Sequence, residues 1–442
     1  MTAIAFLIGV IVLVLGLAVS IALHEVGHLL PAKLFGVRVG QYMIGFGPTL
    51  WSKRIGETEY GFKALPLGGF ISMAGMYPPA PEAASGGTQK RARRSRFFAA
   101  MVQDARDANA ETMIAAADRV FYKLPVWKRV VIMLGGPVMN LLLAFVLSAV
   151  AFSAIGVQTA TTTVASVSQC VIPASQNRTD CTPSDPTAPA ALAGIQPGDR
   201  LVSVDGTPVS TFDQAAAIIQ RSPGRPLPVV IDRDGVTRTV TITPQSTDRP
   251  VTDAQGRAVK DAAGAPEYET VGFAGLRAQE SLVAQPLWAG PEATVQQIGA
   301  VGQIMVQLPV KIYDTAVDLF TGQPRDPNGP LSVVGAGRLA GDIAAVDAPV
   351  AARAGSIINL LAALNIALFV FNLIPLLPLD GGHVVVALWD GVKRAVARSR
   401  GRIARPVDAT KLVPATFVVV VLLIGLGGIL ILADVFNPVQ LL

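Results

Sequence analysis

Charge is scarce in this sequence. Only 15% of its 442 residues are Asp, Glu, Lys or Arg, where a soluble domain carries roughly 25%. That shortage argues against an ordinary soluble enzyme, and the 51% hydrophobic content argues for a membrane protein. The net charge of +5 comes from local clusters. No nucleic-acid motif accompanies them, so a basic cytoplasmic membrane face explains the charge better than a nucleic-acid partner does. Cysteine is limited to Cys170 and Cys181, enough for one disulfide and too few for a disulfide scaffold. Histidine occurs only as His24, His28 and His383.

Charge is missing altogether from four runs: Ala3 to Leu23, Val130 to Phe152, Ala354 to Leu379 and Val413 to Ala433. Each is long enough to cross a bilayer, which takes roughly 20 apolar residues. The first run has no basic residue before it and no small-residue cleavage site after it, so it reads as a retained helix and not a signal peptide. Lys53, Arg54, Lys63, the cluster from Lys90 to Arg96, Lys128 and Arg129 lie between the first two runs. Lys393, Arg394, Arg398, Arg400, Arg402, Arg405 and Lys411 lie between the last two. The positive-inside rule then places both connections in the cytoplasm, and both termini and the 153–353 region outside. An outside location also suits a Cys170–Cys181 disulfide.

The expected fold is a polytopic α-helical membrane protein with four transmembrane helices, a membrane-associated β region and an extracytoplasmic α+β domain. Residues 1–36 form the first transmembrane helix, with an end expected at Pro31. Residues 37–76 alternate apolar runs with glycines and read as strands. Residues 77–128 combine a linker ("PPAPEAASGGTQ", 78–89) with a candidate amphipathic helix over 96–122. Residues 129–155 are the second span. Residues 160–248 carry strand signals, with a hairpin turn at Arg233-Asp234-Gly235 and one helix at "TFDQAAAIIQ". Residues 249–353 hold a strand at Val271–Leu276, a long helix at Ala289–Phe320 and a loop, "GQPRDPNGPLSVVG". The third span occupies 354–390, a basic cytoplasmic loop 391–411 and the fourth span 412–436.

"HEVGH" closes the first span. On a helix, His24 and His28 stand one turn apart on one face, the spacing of two zinc ligands, and Glu25 beside them can reach a metal-bound water. Ionisable groups in a membrane helix are costly and usually functional. A catalytic zinc wants a third protein ligand and an open position. Asp380 and His383 are the candidates, both at the cytoplasmic end of the third span; His383 could instead orient Asp380.

HExxH in the first span with "NLIPLLPLDGGH" in a later one resembles the site-2 protease family of intramembrane zinc metalloproteases. The branch with an extracytoplasmic PDZ domain, like the bacterial regulator-of-sigma proteases, is most similar. "GFGPTL", "PLGGF", "WKRVVIMLGGPVMN" and "GPLSVVG" also look like family blocks. The resemblance implies one Zn2+ per chain held by His24, His28 and Asp380, with Glu25 as catalytic acid/base. It implies substrate contacts from Asn372 and from a re-entrant β-loop at Leu65, Pro66, Leu67, Gly68, Gly69 and Phe70. Asn140 matches a second-span Asn of less defined role and, with His383, is a candidate for orienting a ligand from behind. "AGIQPGDRLVSVDGTPVSTFDQAAAIIQ" (Ala193 to Gln220) looks like the PDZ pattern, whose groove can take a peptide ligand as an added strand. The implied partners are the lipid bilayer and single-pass transmembrane proteins, such as pre-trimmed anti-sigma factors, cut in regulated intramembrane proteolysis. The competing reading is a non-proteolytic metal transporter or sensor, which would not need Glu25.

Overall fold

The computed structural model describes residues 2–76, 102, 112–113, 116, 118–172, 180–251, 259, 267–323, 325–326, 329–402, 407 and 412–439. The 78–89 linker and the 90–96 basic cluster lie outside the described residues, as does most of the 96–122 segment.

The chain opens with α1 (Thr2–Leu34), strands β1 (Val39–Ile55) and β2 (Thr58–Met73), and α2 (Val126–Ala149), which widens into a π-helical segment at Val150–Ile155. There follow β3 (Val157–Val167), the single turn α3 (Pro189–Leu192), β4 (Arg200–Val204), β5 (Thr207–Pro208) and α4 (Phe212–Gln220). Next come β6 (Leu227–Arg233), β7 (Val236–Ile242), β8 (Gln245–Pro250), β9 (Tyr268–Phe273) and β10 (Leu276–Val283). The chain ends with α5 (Ala289–Thr321), α6 (Val333–Ala345), α7 (Val350–Asn372), α8 (Asp380–Ser399) and α9 (Val413–Phe436). These elements form two compact units, Met1–Ile155 with Gln285–Leu442, and Gly156–Ala284.

In the first unit, four helices are long and apolar enough to cross a membrane: Ala3–Leu34, Val126–Ile155, Val350–Asn372 and Val413–Phe436. Leu7, Ile11 and Leu15 of α1 and Leu422 and Ile424 of α9 face outward, uncovered by protein. In water that exposure is unfavourable; in lipid it costs nothing, and the helices satisfy their own backbone groups. The chain is a multi-pass membrane protein.

Three expectations from sequence are corrected by the fold. First, α1 runs past Pro31 to Leu34. One missing donor is tolerated in a membrane helix packed on a neighbour. Second, the apolar run from Ala354 to Leu379 is not one helix. Pro375 and Pro378 cannot donate and force their preceding residues out of helical conformation, so α7 stops at Asn372 and α8 starts at Asp380. The third span therefore ends well before residue 390, and the basic stretch expected as a loop from 391 is helical to Ser399. Third, "GPLSVVG" is not all loop. The Ser332 hydroxyl accepts from the Val334 and Gly335 amides and starts α6.

β1 and β2 pair antiparallel, but each is bent. Residues 41–44 pair on one side with 69–72 and on the other with 59–62, while 49–55 pair with 58–63. The four segments make a small sheet in which, among the described residues, 69–73 has a partner on one side only.

In the second unit, the main sheet runs β10-β3-β4-β6-β7, with β5 on β4, and β8 pairs β9. Val164, Leu201, Val204, Leu227, Val229, Ile231 and Ile242 pack with Ala215 and Ile219 of α4. The boundaries expected from sequence, 160–248, are too narrow. β10 pairs with β3 from Val157 onward, so the unit extends to Ala284. Asp199, 1% exposed, accepts from the Arg233 guanidinium on both oxygens and from the Gln196 amide. Cys170 and Cys181 are disulfide-bonded.

Candidate metal centre

The α1 helix places His24 and His28 on one face, with Nε2 atoms 3.2 Å apart. α8 begins at Asp380, whose Oδ2 lies 3.4 Å from each of those nitrogens. The proline-broken segment 373–379 lets the chain turn, so the carboxylate arrives at a helix start, where a negative charge is favoured. All three candidate ligand atoms lie within 4.8 Å of one another. His28 Nδ1 is 2.7 Å from the Ile132 carbonyl of α2. A carbonyl only accepts, so Nδ1 donates to it, and Nε2 is the nitrogen that faces Asp380 and is placed to ligate a metal.

Packing around the cluster uses glycine. A Cβ at Gly27 would run into the Gly135 carbonyl, and one at Gly135 into the Gly27 carbonyl. A Cβ at Gly136 would collide with His28 Nε2 and lie 2.7 Å from His24 Nε2. Small residues let membrane helices approach this closely; here they also leave space for two imidazoles.

Glu25 is 8% exposed and faces the edge segment of β2: a Cβ on Gly69 would lie 2.9 Å from its Cγ and 3.3 Å from Oε1. A cavity of about 600 Å³ opens beside it, lined by His24, Glu25, Gly68, Gly69, Asn140 and Asn372 with apolar side chains of α1 and α7. Six of the sequence-derived candidates thus line one space, and His28 and Asp380 adjoin it through His24. Leu65 to Phe70 runs through β2, with Leu65 opposite Phe46 and Phe70 opposite Met43. His383 does not line the cavity. It lies in the first turn of α8, and among the described residues no hydrogen bond joins its ring to Asp380. Sequence reasoning does not single out Gly136 or the Ile132 carbonyl, although both lie in "WKRVVIMLGGPVMN".

The donor set fits zinc. Two imidazole nitrogens and a carboxylate oxygen supply three ligands and leave a fourth position. The Asp380 Oδ2 atom is buried without a hydrogen-bond partner, as expected of a group whose partner is a cation.

Comparison with known proteins agrees. The profile of peptidase family M50 matches residues 12–412. The chain is 37% identical over 447 residues to "Zinc metalloprotease Rip1" of Mycobacterium tuberculosis, covering 99% of each chain. It is 34% identical over 452 residues to the protein of that name from Mycolicibacterium smegmatis, again covering 99% of each. A putative zinc metalloprotease of Mesorhizobium japonicum is 30% identical over 392 residues, covering 86% of this chain and 88% of its own.

Proposed function

The chain belongs to peptidase family M50, the site-2 proteases, and is an intramembrane zinc metalloprotease; from that premise we propose that it cuts the transmembrane segments of single-pass proteins at the His24–His28–Asp380 centre. The observation that carries this reading is the placement of Glu25, between the ligand cluster and an unpaired strand edge, on a cavity walled by membrane helices.

His24, His28 and Asp380 hold the ion. When bound, zinc supplies the Lewis acidity that makes water nucleophilic near neutral pH. Glu25 takes the proton of the attacking water and returns it to the leaving amine. Asn372, on the same cavity, offers its carboxamide NH to the substrate carbonyl as negative charge grows there. A helical substrate hides its carbonyls in internal hydrogen bonds, and lipid penalises freeing them. The one-sided pairing of 69–73 supports a solution: the unwound stretch adds to β2 as a further strand.

On the charge rule, the termini and the Gly156–Ala284 unit are extracytoplasmic, with the metal centre toward the cytoplasmic side of the cell membrane. That unit is PDZ-like, and the groove between α4 and β9 is the place for a peptide ligand. It is lined by Phe212, Ala216 and Ile219 on one wall and Val271 to Leu276 on the other. The biological role is regulated intramembrane proteolysis of pre-trimmed substrates such as anti-sigma factors.

The test is Glu25→Gln in protein reconstituted with a single-pass substrate. Cleavage falls by at least the roughly 10²–10⁴-fold of general acid–base catalysis, and metal analysis still finds one zinc per chain. Undiminished cleavage sinks the proposal.

A further inference from the structure

The two histidines are held differently. His28 has its Nδ1 committed to the Ile132 carbonyl at 2.7 Å. His24 Nδ1 is buried yet has no hydrogen-bond partner. If His24 binds zinc through Nε2, Nδ1 must carry the proton, and a buried N–H without an acceptor is costly.

A second orphan lies on the same cavity. Asn140 is 1% exposed, and neither Oδ1 nor Nδ2 has a partner. Helix directions bring the two together. His28 reaches Ile132, Gly27 meets Gly135, and His24 joins His28 at Gly136, so residue numbers fall along α1 as they rise along α2. The helices are antiparallel at the site. Side chains lean toward the N-terminus of their own helix. His24 lies on the N-terminal side of His28, and Asn140, one turn beyond Gly136 along α2, lies on that same side of the pair, away from Ile132. Ile132 and Asn140 are eight residues apart, about 12 Å of helix, and bracket the histidine pair from opposite ends. Both His24 and Asn140 line the cavity.

We infer that Asn140 Oδ1 accepts the Nδ1–H of His24 in the zinc-loaded enzyme, making Asn140 the positioning residue for this ligand as the Ile132 carbonyl is for His28. The carboxamide serves because it needs no charge. In a neutral site it offers an acceptor to the ring and turns its NH2 to the cavity. The inference rests on reading His24, His28 and Asp380 as zinc ligands.

The experiment is zinc release from purified full-length protein into excess chelator, comparing wild type, Asn140→Leu and Asn140→Asp. Leucine matches asparagine in size and suits a membrane interior, so N140L should remain folded. N140L should weaken zinc retention by roughly 10–100-fold, the usual cost of losing a ligand's outer partner. N140D, which keeps an acceptor oxygen, should retain zinc within a few-fold of wild type even if cleavage changes. N140L releasing zinc at the wild-type rate would overturn the inference while leaving the zinc reading intact. N140D failing as badly as N140L would also overturn it, because the acceptor would then not be what matters. Wild-type protein that binds no zinc would overturn both.

Discussion

Buried polar groups are treated in opposite ways in the two compact units. In the Gly156–Ala284 unit, the one nearly inaccessible carboxylate among its described residues, Asp199, is saturated by Arg233 and the Gln196 amide. In the membrane unit, His24 Nδ1, both polar atoms of Asn140 and Asp380 Oδ2 are buried with no hydrogen-bond partner. Not all polar atoms there are neglected: Arg129 and Asp390 pair at 2.7 Å, both buried. Among the described residues, the other buried atoms without a partner, Arg129 Nε, Arg325 Nε, Arg353 Nε and Asn365 Oδ1, sit on side chains that are bonded through another atom; Asn140 has no partner at all. A polar group that serves stability finds its partner within the chain; one that serves chemistry waits for a partner that comes and goes.

The contrast can be broken at its strongest point first. Asp380→Ala removes the third ligand, and metal analysis should show zinc lost and cleavage of a membrane peptide abolished. A folded variant with full zinc would place the third ligand elsewhere. Gly136→Val comes next. Its side chain projects into both imidazoles, so zinc affinity should fall at least tenfold, read by chelator competition, although no ligand has changed.

On the other side of the comparison, Arg233→Leu leaves Asp199 buried with no countercharge and only the Gln196 amide as a partner. Loss of such a partner costs about 3 kcal/mol, visible as a lower denaturant midpoint for the Gly156–Ala284 unit, while zinc content should stay at the wild-type level. Zinc lost in that variant would show that the two units are not energetically separate.

The smallest effect is in pH. The Arg233 guanidinium holds the Asp199 carboxyl below the usual carboxylate range, against the opposing effect of burial. A lowered folded-state value means that stability is present above the unfolded value, about 3.9, and is lost as pH falls through the folded one. Thermal melts of the wild type should weaken below about pH 4, and R233L should lose most of that acid dependence.

Much of this molecule is legible in its sequence because lipid makes strong demands. Uncharged runs disclose the spans, and two histidines at helical spacing at the end of such a run point to a metal, since lipid tolerates them for little else. Four features stay hidden. The break between α7 and α8 is masked by an unbroken apolar run, although Pro375 and Pro378 mark it. Ser332 is a helix cap, but the glycines and prolines around it read as a loop. β10 adds an edge strand to the sheet by pairing with a strand over a hundred residues earlier, which no local pattern reveals. Gly136 matters through the side chain it lacks, and only its neighbours' positions show what that omission accommodates.

At Gly27 and Gly135, α1 and α2 meet main chain to main chain. Elsewhere a drifting sequence can exchange one interlocking side chain for another and shift a helix by an ångström without harm. Two bare backbones have nothing to exchange. The histidine pair is therefore measured from a reference that cannot wear: replacements on the lipid face of either helix leave the ligands where they are, and the first addition at the contact itself moves them.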